Sequence, residues 1–376
     1  MCIRDRNFFS STDGNVNALG QSIVGAFNAA ALDSTLAGQL ASLSSNAELE
    51  ATTLALAPQV NNAAIREVFE SAQTINSFID RRFNDNCSAD FEEAFERNYA
   101  PCEDGWWLLG GYSRSDQSDE DGTTLTGYDT DAFNIAIGYD VTFDDNTLVG
   151  ITGGYSQIDV DQNRSIQSEE EIDILNVTAY ASHKFGPWFA NGQIGYSNAS
   201  VDTERNSGLE NGDITGSFDT NGFNVQGQVG YDFDLEDRGY ISPLLGIHWG
   251  NYSSDDHTEQ GGINLEIEGA DVTYVEGKAG FIAGNVIDLA ASQVNIFARA
   301  NYVVDFDGDV DNILVGFGDG QVTSLEALQG DDERVELGAG ATWRTREGLT
   351  VGFEFDAEAA NDYRSLGGFL RIKYKL

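Results

Sequence analysis

The sequence predicts an all-β fold: a twelve-stranded antiparallel transmembrane β-barrel that follows a helical N-terminal segment. Three observations predict it. Polar and apolar residues alternate along long segments after Gly105, short and long connections alternate between these segments, and aromatic residues are abundant. The 376 residues include 22 Phe, 14 Tyr, 5 Trp and 42 Gly. This composition differs from that of disordered acidic chains, which contain few aromatic residues.

The alternation has a period of two residues, which is the period of a β-strand. In residues 132–143 and 222–235, one face is apolar and the other carries mainly Asn, Asp, Gln and Gly. Both segments exceed the usual strand length of about five or six residues. An apolar face with aromatic residues near its ends, opposite a polar face, is typical of a barrel wall between lipid and a wet lumen.

We predict twelve such segments from Gly105 onwards. They start near Trp106, Thr130, Thr147, Ile172, Trp188, Gly216, Gly239, Ala270, Ser292, Glu333, Leu349 and Leu366. Tight connections are predicted at Asp144–Asn146, Gly186–Pro187, Leu235–Arg238 and Glu347–Gly348. Long acidic connections are predicted at Asp116–Asp129, Asp161–Glu171, Glu204–Thr215, Asp255–Gly269 and Asp307–Asp332. Short turns on one side and long loops on the other are typical of an outer-membrane barrel.

A helical pattern precedes the barrel. Residues 32–57 are rich in Ala, Leu and Ser, and between Asn62 and Phe83 the apolar residues lie on one helical face. Arg81 and Arg82 stand in the last turn of this helix, where cations suit the helix dipole. We therefore divide the chain into a residual linker (1–31), a helical linker and pore-helix segment (32–104), and a barrel domain (105–376).

The first six residues, Met1–Arg6, lack the apolar core of a signal peptide. They resemble adapter read-through, so we expect an artefactual start and a longer natural N-terminal part. An authentic start is the alternative.

The formal net charge is −42, from 20 Lys and Arg against 62 Asp and Glu. Such a balance argues against nucleic-acid binding, which needs basic patches. We expect the acids to keep the long loops hydrated and apart. No segment contains the roughly 20 mostly apolar residues of a membrane-spanning helix.

Catalytic and metal motifs are sparse, and we expect no enzymatic activity, no cofactor and no specific metal site. His257 beside Asp255 and Asp256 leaves a protease site at the barrel rim as a minor alternative. The segment Asp305–Asn312 places carboxylates as a calcium loop does, but Gly316 stands where the last carboxylate ligand belongs. Specific calcium binding is therefore an open alternative to a solvated acidic loop, which we expect to bind calcium only weakly.

Cys87 and Cys102 are close in sequence, with no neighbouring histidine to suggest zinc. In an oxidising compartment we expect a disulfide between them, and two free thiols are the alternative.

Charged residues on the polar faces of the later strands are predicted to line the lumen. They are Glu276, Lys278, Arg299, Glu336, Arg344, Glu354, Asp356, Arg371 and Lys373. A lipid-facing Arg or Lys costs about 2–4 kcal/mol at the membrane midplane, so these groups must face inwards. We expect them to pair with one another and with the threaded helix; the alternative is that they only line water. On the last two strands, we expect Glu354 or Asp356 to lie within reach of Arg371 or Lys373.

Three features together resemble the autotransporter β-domains of type V secretion. A helical Ala/Leu-rich segment is followed by a helix that ends in Phe78-Ile79-Asp80-Arg81-Arg82, Gly105-Trp106-Trp107 opens the first strand, and Gly368–Leu376 ends the chain inside the last strand. The resemblance runs from about Leu32 to the end. One departure is Leu376, because the family usually ends in an aromatic residue; here the nearest is Tyr374.

The resemblance implies a translocator in the outer membrane of a Gram-negative bacterium. Its helix would thread the pore, a passenger upstream would reach the cell surface, and the barrel-assembly machinery would recognise the C-terminal strand. The implied partners are membrane lipid, that machinery and the chain's own passenger, and we expect a monomer. Two alternatives are a free-standing porin-like channel plugged by its N-terminal segment and a soluble acidic β-protein.

Overall fold

The computed structural model describes most of the barrel and parts of the N-terminal segment. The described residues are 14–28, 34–42, 45, 48, 52–53, 56, 62–83, 105–120, 125–144, 146–163, 168–206, 213–235, 238–261, 265–308, 310–316, 322–345 and 349–374. The expected disulfide of Cys87 with Cys102 lies outside the described residues and stays a prediction.

Among the described residues ahead of the barrel, the helices with defined bounds are α1 (Gly14–Asn28), α2 (Ser34–Ser42) and α3 (Ala63–Phe83). In α3 the apolar residues fall on one face, and the expected helix between Asn62 and Phe83 is present. None of the helices in the described part of the chain is long and apolar enough to cross a membrane.

Twelve long strands form the barrel wall. They are β1 (Gly105–Gln117), β2 (Tyr128–Asp144), β3 (Thr147–Gln162), β4 (Ser168–Phe185), β5 (Trp188–Asn206), β6 (Asp213–Tyr231), β7 (Gly239–Ser254), β8 (Asp271–Leu289), β9 (Ser292–Asp307), β10 (Glu333–Thr345), β11 (Leu349–Ala359) and β12 (Tyr363–Tyr374). Each strand begins within four residues of its predicted start.

The wall closes on itself. Consecutive strands pair antiparallel, β7 pairs with β8, and β1 pairs with β12 from Trp107↔Lys373 to Gln117↔Tyr363. The predicted closed twelve-stranded antiparallel barrel is confirmed. Since the strand number is even, the first strand begins and the last strand ends on the short-turn side.

The outer surface of the wall is apolar over a broad band. Ile137, Ile151, Ile194 and Leu245 are among the side chains there that are more than half exposed. A continuous band of exposed aliphatic residues is typical of the lipid-facing surface of a membrane barrel. Inside the wall, rings lie across glycines of neighbouring strands: a β-carbon at Gly150 would stand 2.3 Å from Cζ of Tyr180.

The long loops are more structured than the sequence predicts. Four short strands from the β7–β8 and β9–β10 connections form a small sheet: His257–Thr258, Glu266–Ile267, Ile313–Gly316 and Val322–Leu325. The expectation that these two loops are kept apart is wrong. Apolar side chains such as Ile313, Val315 and Leu325 are buried in the small sheet, and this burial outweighs the charge repulsion.

Candidate functional site: the helix-filled lumen

Helix α3 occupies the barrel lumen. Its 21 residues correspond to a length of about 32 Å, which matches the thickness of a bilayer core. Its first turns pack with Ile172 and Ile313, at the long-loop end of the barrel. Its last turns pack with Leu148, which follows the short β2–β3 turn. The helix therefore runs from the long-loop mouth to the short-turn mouth.

The C-terminal half of α3 makes an apolar contact with the wall. Ile75, Phe78 and Ile79 are fully buried, and they form one cluster with Trp107 and Phe369 on β1 and β12. The rings of Phe78 and Phe369 meet edge to face with centroids 5.4 Å apart. Aromatic contacts of this kind anchor the end of the helix where the wall is closed by its first and last strands.

Hydroxyl and amide groups of β3–β6 face the other polar positions of α3. Ser71 Oγ lies 2.8 Å from Ser156 Oγ, and Asn76 Nδ2 donates to Asn224 Oδ1 at 3.0 Å. The carboxylate of Asp80 accepts from Gln193 Nε2 at 2.7 Å and from Gln226 Nε2 at 2.9 Å. Small neutral groups on this part of the wall let α3 pack closely, and it packs against β2–β7.

The opposite part of the wall, from β8 to β12, meets the helix through ionised side chains. Arg81 Nε donates to Glu354 Oε2 at 2.8 Å, and Arg81 Nη2 donates to Asp356. Arg299 on β9 forms ion pairs with the same two acids, at 3.0 and 2.7 Å. Arg371 Nη1 donates to the carbonyl oxygen of Arg81 at 2.7 Å, so a cation also stands at the helix C-terminus.

A second cluster of ionised side chains lies nearer the long-loop mouth of the lumen. Gln73 of α3 donates to Glu276 Oε2 at 2.8 Å, and Arg334 Nη2 donates to the Gln73 side-chain oxygen at 3.1 Å. Arg334 also forms an ion pair with Glu276, and Lys278 Nζ lies 3.2 Å from Glu336. These groups connect α3 to β8 and β10.

Arg82 forms the most buried ion pair with the wall. Its Nε and Nη2 donate to the two carboxylate oxygens of Asp140 on β2, at 2.7 and 2.8 Å. Both side chains are at most 1% exposed. Tyr180 also donates to Asp140 at 3.3 Å and accepts from Trp107 Nε1 at 2.9 Å. A bidentate pair in this setting fixes both the position and the rotation of the last helical turn.

Two cavities separate α3 from the charged part of the wall. Their volumes are about 50 and 120 Å³. Lys278 and Arg299 line both of them, together with Asp80 of the helix. Ionised groups surround each cavity, which gives water several polar partners. The arrangement holds a helix across the pore through ion pairs, hydrogen bonds and apolar contacts.

A family model described as the autotransporter β-domain matches residues 106–356, which is more than half of the chain. The chain belongs to this family. Its barrel is an outer-membrane translocator domain of a Gram-negative bacterium, as the sequence resemblance implied.

Relatives and solved structures agree with this assignment. The autotransporter β-domain is 22% identical to Outer membrane protein B of Rickettsia conorii over 291 residues, which cover 72% of this chain and 17% of that protein. It is 26% identical to the putative uncharacterized protein YaiT of Escherichia coli over 197 residues, 50% of this chain and 19% of that protein. The chain thus spans about a fifth of the length of the curated relatives it matches.

Two solved structures show the same fold. The translocator domain of the autotransporter NalP from Neisseria meningitidis matches with a TM-score of 0.64 at 14% identity, over 85% of this chain and 99% of that one. The transport unit of AIDA-I from Escherichia coli matches with a TM-score of 0.59 at 18% identity, over 81% and 99%.

In this autotransporter β-domain, seven of the nine predicted lumen charges hydrogen-bond to α3 or line the two cavities: Glu276, Lys278, Arg299, Glu336, Glu354, Asp356 and Arg371. Lys373 is buried and Arg344 half-buried. They lie on the same strand faces as Arg371 and Thr342, which line the cavity of about 50 Å³. Glu354 and Asp356 form ion pairs with Arg81 and Arg299. The expected pairing of these β11 acids with Arg371 or Lys373 on β12 stays a prediction.

Sequence reasoning missed Arg334, which contacts Gln73 from the wall together with the predicted Glu276. Arg334 stands two residues before Glu336 on the same strand face, so the alternation of faces along the strand was the available indication.

His257, considered for a rim protease site, is half-buried in the small sheet, and its ring stacks on Phe218 with centroids 4.4 Å apart. Burial lowers the pKa of His257.

Proposed function

We propose that this barrel carries a passenger segment across the outer membrane and anchors it at the cell surface. The observation that supports this role is the position of α3, which spans the lumen with its N-terminus at the long-loop mouth and its C-terminus at the short-turn mouth. Chain that precedes Ala63 leaves the lumen on the long-loop side, which faces outwards in bacterial outer-membrane barrels. The mechanism is mechanical rather than catalytic, and it makes or breaks no covalent bond.

Within this role, residues 32–104 are the linker and pore-helix segment, and residues 105–376 are the translocator. The ionised groups of β8–β12 hold α3 in place after transport and keep the lumen closed. Arg81 and Arg82 are the helix residues on which this closure depends, because each donates two hydrogen bonds to wall carboxylates.

The proposed partners follow from the same role. Lipid surrounds the apolar band, and the barrel-assembly machinery binds the last strand, β12. A single chain closes the wall, so the working unit is a monomer. A disulfide between Cys87 and Cys102 would restrain the chain below the pore.

Surface display of a tag tests the proposal. A short epitope is fused ahead of Asn7, behind a signal peptide, and the protein is produced in a Gram-negative host. We expect protease added to intact cells to remove the epitope. The matched control carries the same epitope between Gly186 and Pro187, in a tight turn on the other side of the barrel. That epitope should survive until the outer membrane is permeabilised. Protection of the N-terminal epitope in cells with a folded barrel would contradict the proposal.

A further inference from the structure

The wall extends well beyond the membrane on the long-loop side. A transmembrane strand needs about 9–11 residues, whereas β2–β9 contain 16–19 residues each. We define the outer section of the wall as residues 157–162 of β3, 168–174 of β4, 198–206 of β5 and 213–221 of β6. Here the exposure pattern continues without a break, but the chemistry of the two faces is exchanged.

Strand β4 illustrates the exchange. On its outward face, Leu175 and Val177 are 62% and 53% exposed, as expected for contact with lipid. Towards the long-loop end of the same face stand the exposed acids Glu169, Glu171 and Asp173. Carboxylates at these positions require water, so the membrane ends near residue 174.

The inward face of the outer section is apolar next to the membrane, whereas the lumen below it is polar. The far end of this face carries the buried polar side chains of Gln162, Glu170 and Arg205. Ile172 and Ile174 on β4 are fully buried, and so are Val201 on β5 and Val160 on β3. Lower on β4, the same face carries Asn176 and then hydroxyl groups. Acids outside and aliphatic residues inside are the polarity of a water-soluble β-barrel. The outer section therefore needs an apolar filling.

Chain upstream of the pore helix supplies part of that filling. Leu19 and Ile23 of α1 are 1% exposed and Ala26 is 0% exposed. They belong to one continuous apolar cluster with Ile172 and Val201 of the wall. The same cluster includes Leu40 of α2, Leu56, the first turns of α3, and Val315 of the small sheet.

Polar contacts fix α1 in position. Asn15 Nδ2 donates to the carbonyl oxygen of Glu326 at 2.9 Å, and the amide of Glu326 donates to Asn15 Oδ1 at 2.7 Å. One side chain thus satisfies both backbone groups at the end of the strand Val322–Leu325. Ser22 Oγ is also hydrogen-bonded to Thr323 of that strand.

Helix α1 has little intrinsic stability. It contains 15 residues, with no acidic residue in its first turn and no basic residue in its last turn. Gly20 and Gly25 lie inside it, and glycine is unfavourable at interior helix positions. Isolated helices of this length are marginal in water. The contacts with the barrel therefore decide whether α1 is folded.

We propose that the outer section and the small sheet form a folding template for helix α1, helix α2 and Leu56, the described parts of the segment that precedes the pore helix. This segment is disordered while it is in transit and becomes ordered when it meets the apolar rim outside the membrane. Its burial there opposes backward sliding of α3 through the pore. The proposal rests on the translocator role for the direction of transit, but the template itself is a property of the folded full-length chain.

Hydrogen exchange on the full-length protein, refolded in detergent, tests the template without requiring secretion. In the unaltered protein we expect amides of 14–28 to exchange at least tenfold more slowly than in an unfolded chain. Ile23→Asp should abolish this protection. Gln21→Asp places the same charge on the exposed side of α1 and should leave the protection unchanged. Protection of β4 amides shows in every case that the barrel is folded.

Two further variants separate a template from an independent domain. Val315→Asp alters only the small sheet, and it should release α1 as Ile23→Asp does. Asn15→Ala leaves every wall residue in place and should speed exchange in α1 several-fold. The proposal is overturned if 14–28 exchanges at unfolded rates in the unaltered protein. It is also overturned if 14–28 stays protected in both Val315→Asp and Asn15→Ala. Either result leaves the translocator role untouched, because surface display of the tag measures that role separately.

Discussion

Helix α3 approaches the wall closely at Gly154, where a β-carbon would stand 2.7 Å from Cδ1 of Ile75. Ile75 is fully buried at this contact. Since interiors are close-packed, extra atoms at residue 154 must displace the helix or distort the strand.

We expect Gly154→Val to loosen α3 and to destabilise the protein by about 1–3 kcal/mol, the usual cost of overpacking. Gly153→Val is the matched control, because Gly153 lies on the exposed face and a β-carbon there meets no atom within 4 Å. Equilibrium unfolding in detergent measures both variants. Equal stability of the two would show that the helix does not press on this position.

The ion pair of Arg82 with Asp140 should stabilise the helix-filled state strongly. Asp140→Ala leaves the Arg82 guanidinium buried without its counter-charge, and breaking such a pair typically costs about 3–5 kcal/mol. Arg114→Ala removes an exposed partner of Asp129 at 3.7 Å, and it should have little effect on the unfolding transition. The double variant Arg82→Met with Asp140→Leu should recover much of the lost stability. A double variant as unstable as Asp140→Ala would argue against charge burial as the cause.

The membrane boundary on β4 can be located with two arginine substitutions on the same face. Val177→Arg places a charge in the apolar band and should cost about 2–4 kcal/mol if the residue lies near the midplane. Glu171→Arg, six residues away, lies in the outer section and should be tolerated. Unfolding from lipid vesicles measures both effects. A similar large loss at both positions would move the boundary outwards and remove the basis for a water-exposed outer section.

The wall could be predicted from the sequence because each strand carries its own evidence. Alternation and turn residues are local, so the start of β5 at Trp188 and of β11 at Leu349 were found without knowledge of partners. The pore helix could be predicted for the same reason, since its apolar face repeats with the helical period.

Contacts between strands that are not neighbours could not be predicted. Arg299 and Asp356 are separated by β10, and Gly338 stands between them in register. A β-carbon at Gly338 would lie 2.5 Å from Arg299 Nε, so the missing side chain is what lets the guanidinium reach across. Such a pairing depends on the register of three strands at once, and local patterns do not specify it.

The exchange of polarity along β4 was missed for a different reason. Alternation continues through Asp173 and Leu175 with the same period, and both residues lie on the exposed face. Only the chemical character of that face changes, from acidic to apolar. The sequence shows two faces at each point but does not state which solvent each one meets.

Ion conductance across a planar lipid bilayer shows whether α3 closes the lumen. The full-length chain should conduct little, because the helix and its ion pairs fill the pore. A chain without residues 1–83, shown to be folded by its heat-modifiable migration on gels, should form stable open channels with a conductance at least several-fold higher. Equal conductance of the two proteins would show that α3 does not close the pore and would favour a free-standing channel with an open lumen.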